Sequence, residues 1–247
     1  MRIDVVLTPG ELTAPDIAER TVVVIDVLRA SSTIVEALGA GAKAIYPVAS
    51  IEDALRLANT FGRDEVLLSG ERKCLPIEGF DLGNSPREFT AARVKGKTLI
   101  MSTTNGTNVM ALTAGAGRVF IASLLNLGAI VNELERAELE PILLCSGREN
   151  RFALEDAVCA GELATRLMKA RPDDWQLNDD ALAATALAKT YDSGPDLFRR
   201  TTAGKLIIGA GLESDLAFCA QVDRHDIVPV LHDRNITLLQ ASADSST

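Results

Sequence analysis

Aromatic side chains are scarce: one Trp, two Tyr and seven Phe make up 4% of the 247 residues. A core without them must be filled by aliphatic residues and alanine, which suits helices layered on a sheet. Histidine is almost absent, with only His225 and His232. The four cysteines, Cys74, Cys145, Cys159 and Cys219, form no CxxC pair. That scarcity argues against a zinc centre, and the thiols read as free in a reducing compartment. No apolar run approaches a membrane span and no N-terminal signal pattern appears, so the expectation is a cytoplasmic chain without a membrane partner. Basic residues are outnumbered, 25 against 34 acidic ones for a formal net charge of −9, which disfavours a nucleic-acid partner. Neither a Walker loop nor a GxGxxG is present, which removes the strongest nucleotide signatures.

What the sequence does contain is a recurring unit of apolar strand, polar turn and helix. Its clearest copy is Thr21 to Leu38, TVVVIDVLRASSTIVEAL. The β-branched run Val22–Ile25 reads as a strand buried on both faces. Asp26, Arg29, Ser31, Ser32 and Thr33 follow it, and Ile34, Val35 and Leu38 then recur at helical spacing. The plan returns at Glu65–Leu68 followed by Ser69 to Lys73, at Thr98–Met101 followed by Ser102 to Thr107, and at Ile142–Cys145 followed by Ser146 to Arg151. A long helix is expected from Leu154 to Ala170. These units predict an α/β fold of three layers, α/β/α, on a largely parallel or mixed central sheet with right-handed crossovers.

The boundaries predict one domain over 1–247. The similar layouts of Val22–Leu38 and Thr98–Leu112 admit an internal duplication, with pseudo-repeat halves at about 1–140 and 141–247. Ile3–Leu7 reads as an edge strand, and Ala44–Val48, interrupted by Pro47, as a peripheral one. Ser85-Pro86-Arg87-Glu88 has the form of a capping box and predicts a helix to about Val94. Ile227–Leu231 and Ile236–Leu239 predict two strands joined by a polar turn. The tail 241–247 is expected to fray.

In an open sheet, ligands bind beyond the carboxyl ends of the strands, where these four polar clusters would meet. Asp26, Glu71, Glu78 and the pair Glu155-Asp156 would then offer an oxygen-only set suited to Mg²⁺. Arg29, Arg72, Lys73, Arg87, Arg148 and Arg151 all lie in or beside the same loops, and guanidinium groups match phosphate and sulfonate oxygens bidentately. The segment Thr103-Thr104-Asn105-Gly106-Thr107 has the composition of an anion cradle. Each cluster has a plainer reading as helix capping. Cys145 followed six residues later by Arg151 matches the Cys-x5-Arg loop of cysteine phosphatases, although Leu144 and Phe152 depart from their usual pattern. Asp26-Val27-Leu28 lacks the second Asp of the haloacid dehalogenase-type phosphatases.

The stretches IDVLRASST (Ile25–Thr33), GERKCLPIEGFDLGNSP (Gly70–Pro86), STTNGT (Ser102–Thr107) and CSGRENRFALEDAVCAG (Cys145–Gly161), with the lesser match DIVPVL, resemble the 2-phosphosulfolactate phosphatase family. The resemblance implies Mg²⁺-dependent hydrolysis of 2-phospho-3-sulfolactate to 3-sulfolactate and phosphate, a step towards coenzyme M. On this reading the chemistry would fall to Asp26, Arg29, Glu71 and Arg72. Asp26, Glu71, Glu155 and Asp156 would position the metal. Ser31, Ser32, Thr33, Asn84, Thr103, Thr104, Asn105, Gly106, Thr107, Ser146, Gly147 and Arg148 would bind a small anionic phosphorylated substrate. Whether Asp26 is ligand, base or nucleophile stays open at this level, as does the alternative of a small-anion receptor or of another phosphorylated acid. A homodimer is the default expectation.

Overall fold

The computed structural model describes residues 1–62, 64–172 and 175–240, so the expected frayed tail, 241–247, lies outside the described residues. The apolar runs become β1 (Arg2–Val6), β2 (Thr21–Ile25), β3 (Ala44–Pro47), β4 (Val66–Arg72), β5 (Leu75–Pro76), β6 (Thr98–Ser102), β7 (Arg118–Ala122), β8 (Pro141–Cys145), β9 (Gln176–Leu177), β10 (Pro229–His232) and β11 (Asn235–Leu238). They form one mixed sheet in the order β5-β4-β6-β3-β11-β10-β7-β2-β8-β1-β9. The helices are α1 (Ala14–Ile17), α2 (Ala30–Gly39), α3 (Ile51–Ala58), α4 (Ala91–Val94), α5 (Gly106–Leu112), α6 (Leu127–Arg136), α7 (Leu154–Ala170), α8 (Asp179–Thr190), α9 (Pro195–Arg200), α10 (Thr202–Gly209) and α11 (Ser214–Cys219).

Every residue of β2, β6 and β8 is buried, as their near-continuous apolar sequences require. Side chains of β2 alternate between two cores. Val23 and Ile25 join Phe120, Leu143 and residues of α6 and α7 on one face, while Val22 and Val24 join Ile121, Leu144 and residues of α2 and α5 on the other. Each such aliphatic side chain contributes about 1.5–3 kcal/mol on burial. The three-layer α/β/α expectation therefore holds, with a mixed sheet.

Strands β9, β1, β8, β2 and β7 run parallel, and so do β3, β6 and β4. The antiparallel hairpin β10–β11 separates the two blocks, touching each through one residue pair, Val230 with Phe120 and Ile236 with Ile45. By the pairing sense, the second block runs opposite to the first. Strand β6 nevertheless lies five steps from β2, and a twist of roughly 20–25° per step accumulates to about 100–125°. The loop after β6 does meet the turn after β2, since a Cβ on Gly106 would stand 2.7 Å from Asp26 Oδ2. Strand β8 lies between β2 and β1, so the stretches 1–140 and 141–247 share one sheet.

Three local expectations need correction. Strand β3 is internal, between β11 and β6, despite Pro47. The N–H of Val48 bonds the Met101 carbonyl of β6, so the nitrogen of Pro47 points to the β11 side, where only Ile45 is paired. Strand β1 is covered by the two-residue β9 instead of forming an edge. The helix expected from Ser85 to Val94 is a 3-10 turn, Pro86–Glu88, followed by the separate α4. Its capping groups are engaged elsewhere: Ser85 donates to Asp215, and Glu88 accepts from the Gly83 N–H.

Candidate active site

Asp26 ends β2 and opens the turn into α2. Its carboxylate accepts from the Ala30 N–H and the Ser146 hydroxyl, both at 3.2 Å. Burial pushes its pKa up to about 7; those two bonds oppose the rise, and the charges of Glu71 and Glu155 add to it. Asp156, in the first turn of α7, accepts from the backbone N–H groups of Val27 (2.8 Å) and Gly147 (3.0 Å), tying the ends of β2 and β8 together. Burial, with the charges of Asp26 and Glu155 behind it, raises Asp156 well above the usual carboxylate range. Glu155 is raised by burial too, against a hydrogen bond with Thr201 and the positive charge of Arg148.

From the second block, Glu71 at the end of β4 accepts from the Thr104 N–H (2.7 Å) and the Cys74 N–H (2.8 Å). It thereby ties the loop after β6 to the loop after β4. Arg29 is almost fully buried and donates to the Asp215 carboxylate at 2.7 Å and to the Cys74 carbonyl at 3.1 Å. Asp215, wholly buried in α11, also accepts from the Ser85 hydroxyl at 2.7 Å. The Asn105 side chain accepts from the Glu149 N–H at 3.0 Å, so the β6 and β8 loops touch as well. Between these loops lies a small, partly open cleft. Asp26, Glu71, Glu155 and Asp156 line it together with Arg29, Lys73 and Arg148. Two buried polar atoms there, Asn84 Oδ1 and Thr104 Oγ1, have no partner in the protein.

The polar strand ends thus converge, yet several hydroxyls serve the scaffold instead of the cleft. Ser31 Oγ accepts from the Asp26 N–H, Ser32 donates to the Val27 carbonyl and Thr33 donates to the Asn84 carbonyl. Thr103 and Thr107 bond each other's backbone across one helical turn. Thr103, Thr104, Asn105, Gly147 and Arg148 reach the cleft wall; Thr107, Gly106 and Ser146 support it from behind. Arg72 spans β4 and β6 through the Ser102 carbonyl and hydroxyl and does not line the cleft. Glu78 and Arg151 are exposed outside it, and Arg87 pairs with the Ser214 hydroxyl. The cysteine-phosphatase alternative fails, because Cys145 is fully buried in the core and burial pushes its thiol far up.

The whole arrangement falls within residues 6–234, which match the family model described as 2-phosphosulpholactate phosphatase. The chain belongs to this family. Relatives named as probable 2-phosphosulfolactate phosphatases agree in length as well as sequence. One from Symbiobacterium thermophilum is 42% identical, covering 92% of this chain and 97% of that protein. One from a Synechococcus strain is 41% identical over 90% and 92% of the two chains. One from Clostridium novyi is 36% identical over 96% of this chain and all of the relative.

Within this member of the 2-phosphosulpholactate phosphatase family, Gly106 is a point of close approach between the two blocks. A Cβ there would stand 2.5 Å from Ala30 Cβ and 2.7 Å from Asp26 Oδ2. Both neighbours sit on the rigid β2–α2 turn, so Gly106→Ala should cost about 1–3 kcal/mol through overpacking. A thermal melt should register a fall of roughly 2–12 °C, and an unchanged melting temperature would show that the blocks separate easily. Asp215 was not visible as a site residue in the sequence. The segment Ser214–Ala220 carries no motif, and only the fold places it beneath Arg29.

Proposed function

We propose that the chain hydrolyses the phosphate ester of 2-phospho-3-sulfolactate, releasing 3-sulfolactate and phosphate, with Mg²⁺ as cofactor. The observation that carries this reading is the meeting of buried carboxylates with Arg29, Lys73 and Arg148 on one cleft. An anion receptor gains nothing from adjacent negative charge unless a cation lies between them. Among the described residues no trio of acidic, His or Cys side chains is arranged as a complete metal cage. Mg²⁺ does not require such a cage, since it usually takes one or two carboxylates together with water and substrate phosphate.

Glu71 and Glu155, whose charges both act on Asp26, are the acids that would hold the ion. When bound it offsets negative charge on the phosphoryl oxygens. The protein's own groups do the rest. Arg29, Lys73 and Arg148 draw in and orient a polyanionic substrate, and Arg29 is preset by Asp215 so that it loses little freedom on binding. Burial, with the charges of Glu71 and Glu155 behind it, raises Asp26 to about 7, the range that suits a general base. In that role it takes the proton from the attacking water at the carboxyl end of β2. Asp156 keeps the β2 and β8 loops in register by accepting their N–H groups.

Phosphate release from 2-phospho-3-sulfolactate, measured with and without EDTA, tests the proposal. Activity that EDTA removes and Mg²⁺ restores is the expected result. Release from other phospho-acids at equal efficiency would overturn the substrate assignment, and EDTA-resistant release would overturn the cofactor.

A further inference from the structure

Asn105 stands at the N-cap of α5, where an Asn side chain normally accepts from the helix's first free N–H groups. Its side chain makes no such bond, and the Thr107 N–H is taken instead by Thr103 Oγ1 at 3.1 Å. That frees the Asn105 carboxamide, whose Oδ1 reaches across the seam between the two blocks and accepts from the Glu149 N–H at 3.0 Å.

The bond falls on the turn 148–151. Two backbone bonds of 2.8 Å between Arg148 and Arg151 close this turn, and Glu149 and Asn150 between them adopt left-handed φ angles of 50° and 59°. Asparagine and glycine suit such positions, but glutamate does not. The conformation at Glu149 therefore depends on contacts from outside the turn. Arg148 has an anchor on each side. The Gly147 N–H bonds Asp156 of the first block at 3.0 Å, and the Glu149 N–H bonds Asn105 of the second. The Arg148 guanidinium pairs with the exposed carboxylate of Glu149 at 3.3 Å, a weak contact that leaves it available to a ligand. Asn105, Arg148 and Glu149 all line the cleft. The charge of Arg148 acts on Glu155 of the first block and on Cys74 of the second, which places it within electrostatic reach of both.

We infer that Asn105 is a positioning residue, which holds the Arg148 turn across the seam so that the guanidinium meets the anionic substrate. It acts through Arg148 and does not touch the substrate, in contrast to the binding role that its segment's composition suggests. This rests on the phosphatase reading above and adds to it a contact that makes an anion-binding group of one block depend on a loop of the other.

The test is a double-mutant cycle on KM and kcat for phosphate release from 2-phospho-3-sulfolactate, with the wild type, Asn105→Ala, Arg148→Ala and the double variant. Arg148→Ala should raise KM at least about tenfold, the usual effect of losing one hydrogen bond to a charged group. Asn105→Ala should raise KM roughly threefold to tenfold with kcat within about twofold, and in the Arg148→Ala background it should shift KM by less than about twofold. Hydrogen exchange at the Glu149 amide should speed up in Asn105→Ala while that at Gly147 stays slow, and a thermal melt checks that each variant is folded. Effects of the two substitutions that simply multiply would show that Asn105 contacts the substrate itself and overturn the inference. An unchanged KM, or unchanged exchange at Glu149, in Asn105→Ala would overturn it as well. If the wild type releases no phosphate from this substrate, the phosphatase reading itself fails. Calorimetric binding of inorganic phosphate to the same four proteins then decides the role of Asn105 by the same cycle.

Discussion

Asp215→Ala should abolish most activity and destabilise the fold together, although Asp215 does not line the cleft. Its partner Arg29 is buried to the same degree, with side-chain exposures of 2% and 0% for the pair. Removing the carboxylate leaves a guanidinium in a dry site without a counter-charge, which typically costs 3–5 kcal/mol, about 6–20 °C in melting temperature for a chain of this size. Ser85 loses its acceptor in the same step. Activity should fall at least about 10²-fold, the usual effect of losing one aligned donor to a developing charge. The two effects can be separated. Replacing both partners, Arg29→Met with Asp215→Leu, removes the unpaired charge and should restore most of the melting temperature while leaving the enzyme inactive. Asp215→Asn keeps an acceptor for Arg29 and should lie between wild type and Asp215→Ala in both measurements. If Asp215→Ala kept full activity, the role assigned to Arg29 would be wrong.

What could be seen in the sequence follows from where each signal originates. Strands β2, β6 and β8 were legible because a strand buried on both faces has to be apolar throughout, and that constraint is written residue by residue. The position of β3 was not legible, because the harm done by Pro47 depends on which neighbour its nitrogen faces. The insertion of β10–β11 between the two blocks was hidden for a similar reason. A hairpin's sequence specifies its own turn and alternation but not the strands outside it. The helix expected at Ser85–Val94 failed because capping residues are also good hydrogen-bond partners for anything else nearby. Asp215 and Gly83 supplied stronger claims on Ser85 and Glu88.

The site shows the same division. Asp26, Glu71, Glu155, Asp156, Arg29 and Arg148 were legible because each follows a strand end or opens a helix, and the sheet brings such positions together. The hydroxyl residues were over-counted. Ser31, Ser32 and Thr33 have the composition of an anion cradle, but in a tight strand-to-helix turn hydroxyls close the backbone first. Thr33 matters through Asn84, a link between residues 51 positions apart that spacing cannot reveal. Arg72 lies off the cleft for a related reason: a guanidinium beside two strand ends bonds their carbonyls.

Asp26→Asn should lose activity and gain heat stability, and the gain should depend on pH. In the fold Asp26 holds its proton up to about pH 7, against the ordinary aspartate value of 3.8. Between those values the folded chain binds more protons than the unfolded one, so the contribution of Asp26 to stability falls as pH rises. Above pH 7 that difference corresponds to a penalty on the order of 4 kcal/mol. Asparagine avoids it without losing contacts, because its oxygen can accept from Ala30 and its amide can donate to the Ser146 oxygen. In EDTA, the melting temperature of the variant should exceed that of the wild type at pH 8, and the gap should close as pH is lowered towards 4. Adding Mg²⁺ should raise the wild type more than the variant, because the cation offsets charge that only the wild type carries. Phosphate release should drop by about 10²–10⁴, the usual contribution of a general base. An Asp26→Asn protein less stable than wild type at pH 8 would mean that the buried charge is already compensated within the fold. The strain that destabilises this turn is then the same charge that the reaction uses, as expected where stability is given up for function.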